Sequence, residues 1–392
     1  MSILISIIAL SVIIFIHELG HFLVSKFFGV PVREFSIGMG KRIFSFVKGN
    51  TRYSLKLLPF GGSCALIGED ASGSGDFTDN IGVIDKEKNT IDFEGVIYDI
   101  DYIKNNNFSV ISPIKKFLIA LSGPLSNFLL ALILSLIIVF NVGYDKPIIT
   151  GVVENGAASV AVPYELKPND VITELKIYND KMSINSYRDI LFFMTINNDE
   201  FINDNVSMVV TFKRDNKKYQ TVLKPIFNEE ENRPLIGISL SNGYIKSDNV
   251  FDLLYSGFNE FYFYIKTTLK SLKLLFTGRV SINQVSGPVG TVAVMGTAIN
   301  DATKVGLSAA IMTTLSIIVL ISSNLGVMNL LPIPALDGGR IVFAIIEMII
   351  GKPVGEKVEG YVNMVTMALL LIFMFYIMGL DVYKIFTGTL FG

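Results

Sequence analysis

The sequence predicts a polytopic α-helical membrane protein of about four transmembrane helices, with a β-hairpin in one loop and one inserted α+β domain in another. Three observations carry this. Hydrophobic residues make up 51% of the 392 positions, and the mean hydropathy is +0.52. Charged residues reach only 17%, against roughly 25% in a typical soluble domain. Four apolar stretches are long enough to span a bilayer, which takes about 20 helical residues.

Composition also excludes function classes. The net charge is −2 and no basic patch stands out, which argues against nucleic acid as a partner. The single cysteine, Cys64, excludes an intrachain disulfide framework and a Cys-rich zinc ribbon. A metal site here has to use His, Asp or Glu. With no tryptophan, Phe and Tyr must form any interfacial aromatic belt.

The elements follow in order. Residues 1–28 form the first span, apolar over Ile3–Phe28 and containing "HELGH". "MSILISIIAL" lacks a basic n-region and no small-residue cleavage site follows, so it reads as a retained helix rather than a signal peptide. The 29–116 loop starts with a hairpin at about 35–58, "RIFSFVKGNTRYSLKLLPFGG", around Gly49-Asn50. There Tyr53, Leu55 and Leu57 alternate with Arg52, Ser54 and Lys56. That pattern fits a surface hairpin and one whose apolar face dips into the membrane equally well. Residues 68–108 read as a polar, flexible insertion without chemistry. The second span is 117–142.

Residues 147–240 fit a small α+β domain. "IITGVVENGAASVA" gives a strand, a turn and the start of a helix; "SYRDILFFMTIN" has helical spacing; "VSMVVTFKRDNKKYQTVLKPI" is a hairpin around Asp215-Asn216. Residues 250–302 hold an aromatic helix lying on the membrane surface and a connector. Glu260, Lys266, Lys270 and Lys273 disfavour a fifth span there. The third span, 305–340, ends in "NLLPIPALDGG", and the fourth is 362–380. Lys26, Arg33, Lys115, Lys116, Arg340, Lys352 and Lys357 flank the spans so as to place 29–116 and 338–361 inside. Both termini and the 143–304 segment then lie outside.

The chain has two histidines, both in HELGH. His17 and His21, four apart, share one helix face and are able to share a metal ion. Glu18 is placed to act as general base on water at that metal. Two histidines and an acid within an apolar span are costly, which favours a metal over an idle helix face. A catalytic zinc needs a third protein ligand. Asp337 is the best candidate, an intramembrane acid just past Pro332 and Pro334, on backbone the bilayer tolerates only where protein buries it.

These residues are similar to those of the site-2 protease family of intramembrane zinc metalloproteases, in its bacterial branch with one PDZ domain. "HELGH" at 17–21, "SGPLSNF" at 122–128, "SGPVG" at 286–290 and "NLLPIPALDGG" at 329–339 match in order and spacing over nearly the whole chain. The resemblance implies Zn2+ held by His17, His21 and Asp337, with Glu18 as the catalytic acid/base. It implies Asn329 on the substrate backbone, with Pro332 and Pro334 in the substrate-binding loop. The 35–58 hairpin then corresponds to a membrane re-entrant loop that captures substrate by strand addition, which favours the dipping arrangement. The 147–240 domain is similar to a PDZ domain, serving as peptide binder or size filter; Asn169 stands where glycine is common, and Asn tolerates left-handed backbone.

The implied activity is hydrolysis within transmembrane segments of single-span proteins, such as anti-sigma factors or remnant signal peptides, in a bacterial plasma membrane. Three other readings compete. A zinc transporter is disfavoured by the absence of internal repeats. An inactive scaffold is disfavoured by the intact set His17, Glu18, His21 and Asp337. A zinc protease using Glu347 as third ligand is separable by bound zinc.

Overall fold

The computed structural model describes residues 2–69, 82–203, 206–229, 231, 233–240, 244–279 and 285–387. The chain divides into two compact units, one of residues 1–134 with 268–392 and one of residues 135–267.

In the first unit, α1 (Ser2–Phe27) carries HELGH. It is followed by β1 (Val32–Lys48) and β2 (Thr51–Leu66), joined at Gly49 and Asn50, both at positive φ (56° and 54°). Two left-handed residues in a row make the tight turn whose twist suits a hairpin. β1 pairs twice: residues 42–48 run antiparallel to 51–56, while 34–37 pair with both 52–55 and 62–65. The sheet therefore has four adjoining segments, with 62–65 at one edge.

The hairpin is inside out. Ser54 and Lys56 are buried, as are Glu34, Ser36 and Ser63, whereas Leu55, Leu57, Leu58, Ile43, Phe44 and Phe46 are exposed. Most of these buried polar groups are paired: Arg42 donates to both Glu34 oxygens at 2.8 and 3.0 Å, Lys56 lies 3.7 Å from Glu34, and Ser36 meets Ser63 at 2.8 Å. An apolar rind over a paired polar interior suits a lipid-facing sheet and costs free energy in water.

The expected flexible insertion is corrected over 82–107. Strands β3 (Val83–Asp85), β4 (Thr90–Phe93) and β5 (Val96–Asp99) form an antiparallel sheet, and α2 (Ile100–Asn106) follows, capped by Asp99. "VID", "TIDF" and "VIYD" are strands too short to stand out between turns. Their sheet is tied to the hairpin by Arg42–Glu94, Arg52–Glu94 carbonyl and Tyr98–Val32 carbonyl contacts. The remainder of that insertion, 70–81, lies outside the described residues.

Among the described residues four helices are long and apolar enough to cross a membrane: Leu4–Phe27, Pro113–Val142, Leu307–Asn329 and Lys357–Thr387. They agree in number with the sequence expectation and belong to α1, α3 (Pro113–Val142), α8 (Leu307–Asn329) and α10 (Glu356–Thr387). Near the last two spans, two helices were not anticipated. The connector after the aromatic helix contains α7 (Pro288–Val305), whose first turn is closed by Asp381 of α10 accepting from the Gly287 and Gly290 amides at 3.0 and 2.8 Å. The third span does not run to residue 340. It stops at Asn329, and after a break at 330–336 a separate helix, α9 (Asp337–Ile350), begins at Asp337 itself. Pro332 and Pro334 cannot continue a helical hydrogen-bond ladder, and Ala335 takes positive φ (70°).

The second unit is α+β, as expected. Its sheet has the order β10 (Lys217–Leu223), β9 (Met208–Arg214), β7 (Val171–Ile177), β8 (Asp180–Ser183), and β6 (Ile149–Val152) pairs with β13 (Ile238–Leu240). The short pair β11 (Ile226–Asn228) and β12 (Arg233–Leu235) completes the strands. Asp215 and Asn216 make the predicted turn at positive φ, and Asn169 is left-handed at 74°. α4 (Tyr187–Ile196) starts in a capping box of Ser186 and Asp189, and α5 (Asn198–Asn203) follows it. Phe193, Phe212, Ile172 and Leu175 fill the core. The expected helix at "NGAASVA" is a series of turns instead, with Ala157 and Ala158 inserted in the core. The aromatic helix, α6 (Val250–Phe276), begins in this unit. Phe251, Leu254, Tyr255, Phe258 and Tyr262 form its exposed stripe. Its buried Glu260 takes, with Asp145, the guanidinium of Arg188.

Candidate metal centre

HELGH forms helix because it sits in an unbroken apolar run, and its period puts His17 and His21 on the buried face, 7% and 6% exposed. Their rings meet edge to face at 4.9 Å, and the two Nε2 atoms are 3.3 Å apart. Asp337, 8% exposed, brings Oδ2 to 3.1 Å from His17 Nε2 and Oδ1 to 3.3 Å from His21 Nε2. Among the described residues these three form the cluster of His, Cys and carboxylate groups able to hold a metal.

The arrangement fits a tetrahedral zinc. Bonds of about 2.0–2.1 Å set ligand atoms roughly 3.3 Å apart, and the observed separations are 3.1–3.3 Å. Asp337 Oδ2 is buried and makes no hydrogen bond despite its close approach to His17. An oxygen anion left unpaired in a buried site calls for a cation. The Nδ1 of His21 is 2.8 Å from the Ile119 carbonyl, so it donates there and leaves the Nε2 lone pair facing the cluster.

Room for the pair comes from "SGPLSNF" in α3. A methyl group at Gly123 would stand 2.3 Å from His21 Nε2 and 2.8 Å from His17 Cε1. Glu18 faces the hairpin: a Cβ at Gly62 would lie 3.0 Å from Glu18 Cγ, so the edge segment 62–65 passes beside the expected base.

Asn329, the last residue of α8, has its Nδ2 3.3 Å from His17 Nε2, beside the cluster. Pro332 and Pro334 lie in the break between α8 and α9, Pro332 exposed and Pro334 half-buried. Glu347 is apart from the cluster, paired with Lys116 at 2.8 Å. That pair and the Arg340–Glu69 pair line a cavity of about 1050 Å³ on the side of α9. Burial raises the Glu69 carboxyl above its ordinary range, with the Arg340 charge acting against it.

Two supporting residues escaped the sequence reading. Asn127 of α3, fully buried, has Nδ2 3.3 Å from His17 Nδ1. Asn363 of α10, 3% exposed, accepts the Ala335 amide at 3.0 Å and so holds the strained loop ahead of Asp337. The available signal was an Asn well inside each apolar span, since polar groups there need a reason.

The chain is similar to known proteins over nearly its whole length. The sequence profile of Peptidase family M50 matches residues 5–373. A Fusobacterium nucleatum protein, named provisionally as a zinc metalloprotease, is 34% identical over 390 residues, 98% of this chain and 100% of that one. The zinc metalloprotease RasP of Geobacillus kaustophilus is 30% identical, with 98% of each chain covered. The regulator of sigma-W protease RasP of Bacillus subtilis is 28% identical, over 97% of this chain and 98% of that one. The matched region includes both histidines and the distant aspartate, and it places this chain in peptidase family M50, the site-2 proteases: it is a zinc metalloprotease.

Proposed function

We propose that this enzyme hydrolyses peptide bonds inside the transmembrane segments of single-span membrane proteins, such as anti-sigma factors or remnant signal peptides, in regulated intramembrane proteolysis. One observation carries the reading: the ligand cluster is built from α1, an apolar helix long enough to span, and from the helix break after α8, another such helix. A site so placed meets substrates in the bilayer.

His17, His21 and Asp337 would hold the zinc, which would supply Lewis-acid chemistry to the scissile carbonyl and to water. Glu18 takes a proton from the attacking water as the C–O bond forms, and returns it to the leaving nitrogen as the C–N bond breaks. Asn329, with an amide N–H next to the cluster, donates to the substrate backbone, and the Pro332–Pro334 loop lies against it. A helical peptide bond is shielded by its own hydrogen bonds, so the substrate must be extended first. The edge segment 62–65 beside Glu18 supports capture of an extended strand by backbone pairing. The exposed apolar face of the hairpin supports its location in lipid. The 147–240 unit is taken as PDZ-like, on the extracytoplasmic side of a bacterial plasma membrane, screening substrates by ectodomain size.

The test is cleavage of a short-ectodomain single-span reporter in membranes by the intact enzyme and by Glu18→Gln. The expected result is a cut within the span, lost by about 10²–10⁴-fold in the variant while bound zinc is kept. Equal cutting by both would remove Glu18 as the base; a cut outside the span would remove the intramembrane reading.

A further inference from the structure

Asn127 contacts a metal ligand through one end of its amide and leaves the other end unused. Nδ2 lies 3.3 Å from His17 Nδ1, while Oδ1 is buried without a hydrogen-bond partner. The two ends differ by a half-turn of the amide, and which one faces the ring decides the tautomer of His17. An N–H donated to Nδ1 requires the ring proton on Nε2, which then has no lone pair for zinc. An oxygen accepting from Nδ1–H frees the Nε2 lone pair and gives the stranded Oδ1 its partner. Only the second state is compatible with His17 as a ligand.

We propose that Asn127 is a positioning residue that accepts the Nδ1 proton of His17 and so holds the ring in its ligating tautomer. It does for His17 what the Ile119 carbonyl does for His21 at 2.8 Å. Both acceptors are on α3, eight residues apart, with Gly123 midway between them facing both rings. Asn127 is fixed in turn: its own carbonyl accepts Ser322 Oγ of α8 at 2.9 Å, and it is 0% exposed. The inference rests on the reading of His17 as a zinc ligand.

The test measures zinc affinity of the full chain in detergent by chelator competition, for the native protein, Asn127→Leu and Asn127→Asp. Leu fills similar space without an acceptor; Asp keeps the acceptor and cannot donate. The expected result is a dissociation constant weakened about 10–100-fold in the Leu variant and unchanged or tighter in the Asp variant. Equal weakening in both, or in neither, overturns the proposal. Because the chain has only two histidines, 15N-histidine NMR of the zinc-loaded native protein reads the tautomer without any variant: protons on both Nδ1 atoms are expected, and a proton on His17 Nε2 overturns it. A native protein that binds no zinc overturns the ligand reading itself, a result distinct from either pattern.

Discussion

Gly123 is the residue on which the metal centre depends without touching it chemically. Its missing side chain is the space that His17 and His21 occupy. Gly123→Ala should therefore lower zinc occupancy to near zero while the protein still folds. Metal content together with a thermal melt checks this; full occupancy in a stable variant would show that α3 moves away freely. The clustering of His17, His21 and Asp337 was legible because only two histidines exist and the proposed zinc site needs an acid to complete it. Asn127, Asn363 and Gly123 were not, because an Asn or Gly in an apolar helix does not announce which distant loop or ring it meets. Those contacts join α3 to α1 and α10 to the 330–336 break, and they are settled only by packing.

Elements show the same division. Turns with a local chemical cause were readable, as at Gly49-Asn50 and Asp215-Asn216. The double pairing of β1 and the β3–β5 sheet were not, because strand partners are chosen at long range. The hairpin also reversed the usual sense of alternation, exposing its leucines and burying Glu34, Ser54 and Lys56. Burial pushes the Glu34 carboxyl up, but hydrogen bonds from Arg42 and Ser54 and the Lys56 charge outweigh it and hold it below the ordinary range. A carboxylate that ionises more readily in the folded chain stabilises it above the ordinary value of 4.5, and that contribution is lost as pH falls through the lower folded value. Glu34→Gln should thus cost about 1–3 kcal/mol at pH 7, with the gap to the native protein closing in acid. Melting midpoints from pH 7 to pH 3 measure it, and a gap independent of pH would mean that Glu34 stabilises by shape alone.

At the scale of the molecule, helices far apart in the sequence assemble one small cluster. The first helix carries His17, Glu18 and His21, the helix before the 330–336 break carries Asn329, and α9 carries Asp337 at its first residue. The order of motifs made this assembly legible, whereas the number of helices around the break was not, since "DGGRIVFAIIEMII" is both a plausible tail of the third span and a helix of its own. The same ambiguity made Glu347 a rival ligand; the structure pairs it with Lys116 instead. Zinc bound per chain, measured for the native enzyme, Asp337→Asn and Glu347→Gln, tests the cluster most directly. The prediction is one zinc in the native protein and in Glu347→Gln, and almost none in Asp337→Asn. Zinc retained by Asp337→Asn and lost from Glu347→Gln would contradict it.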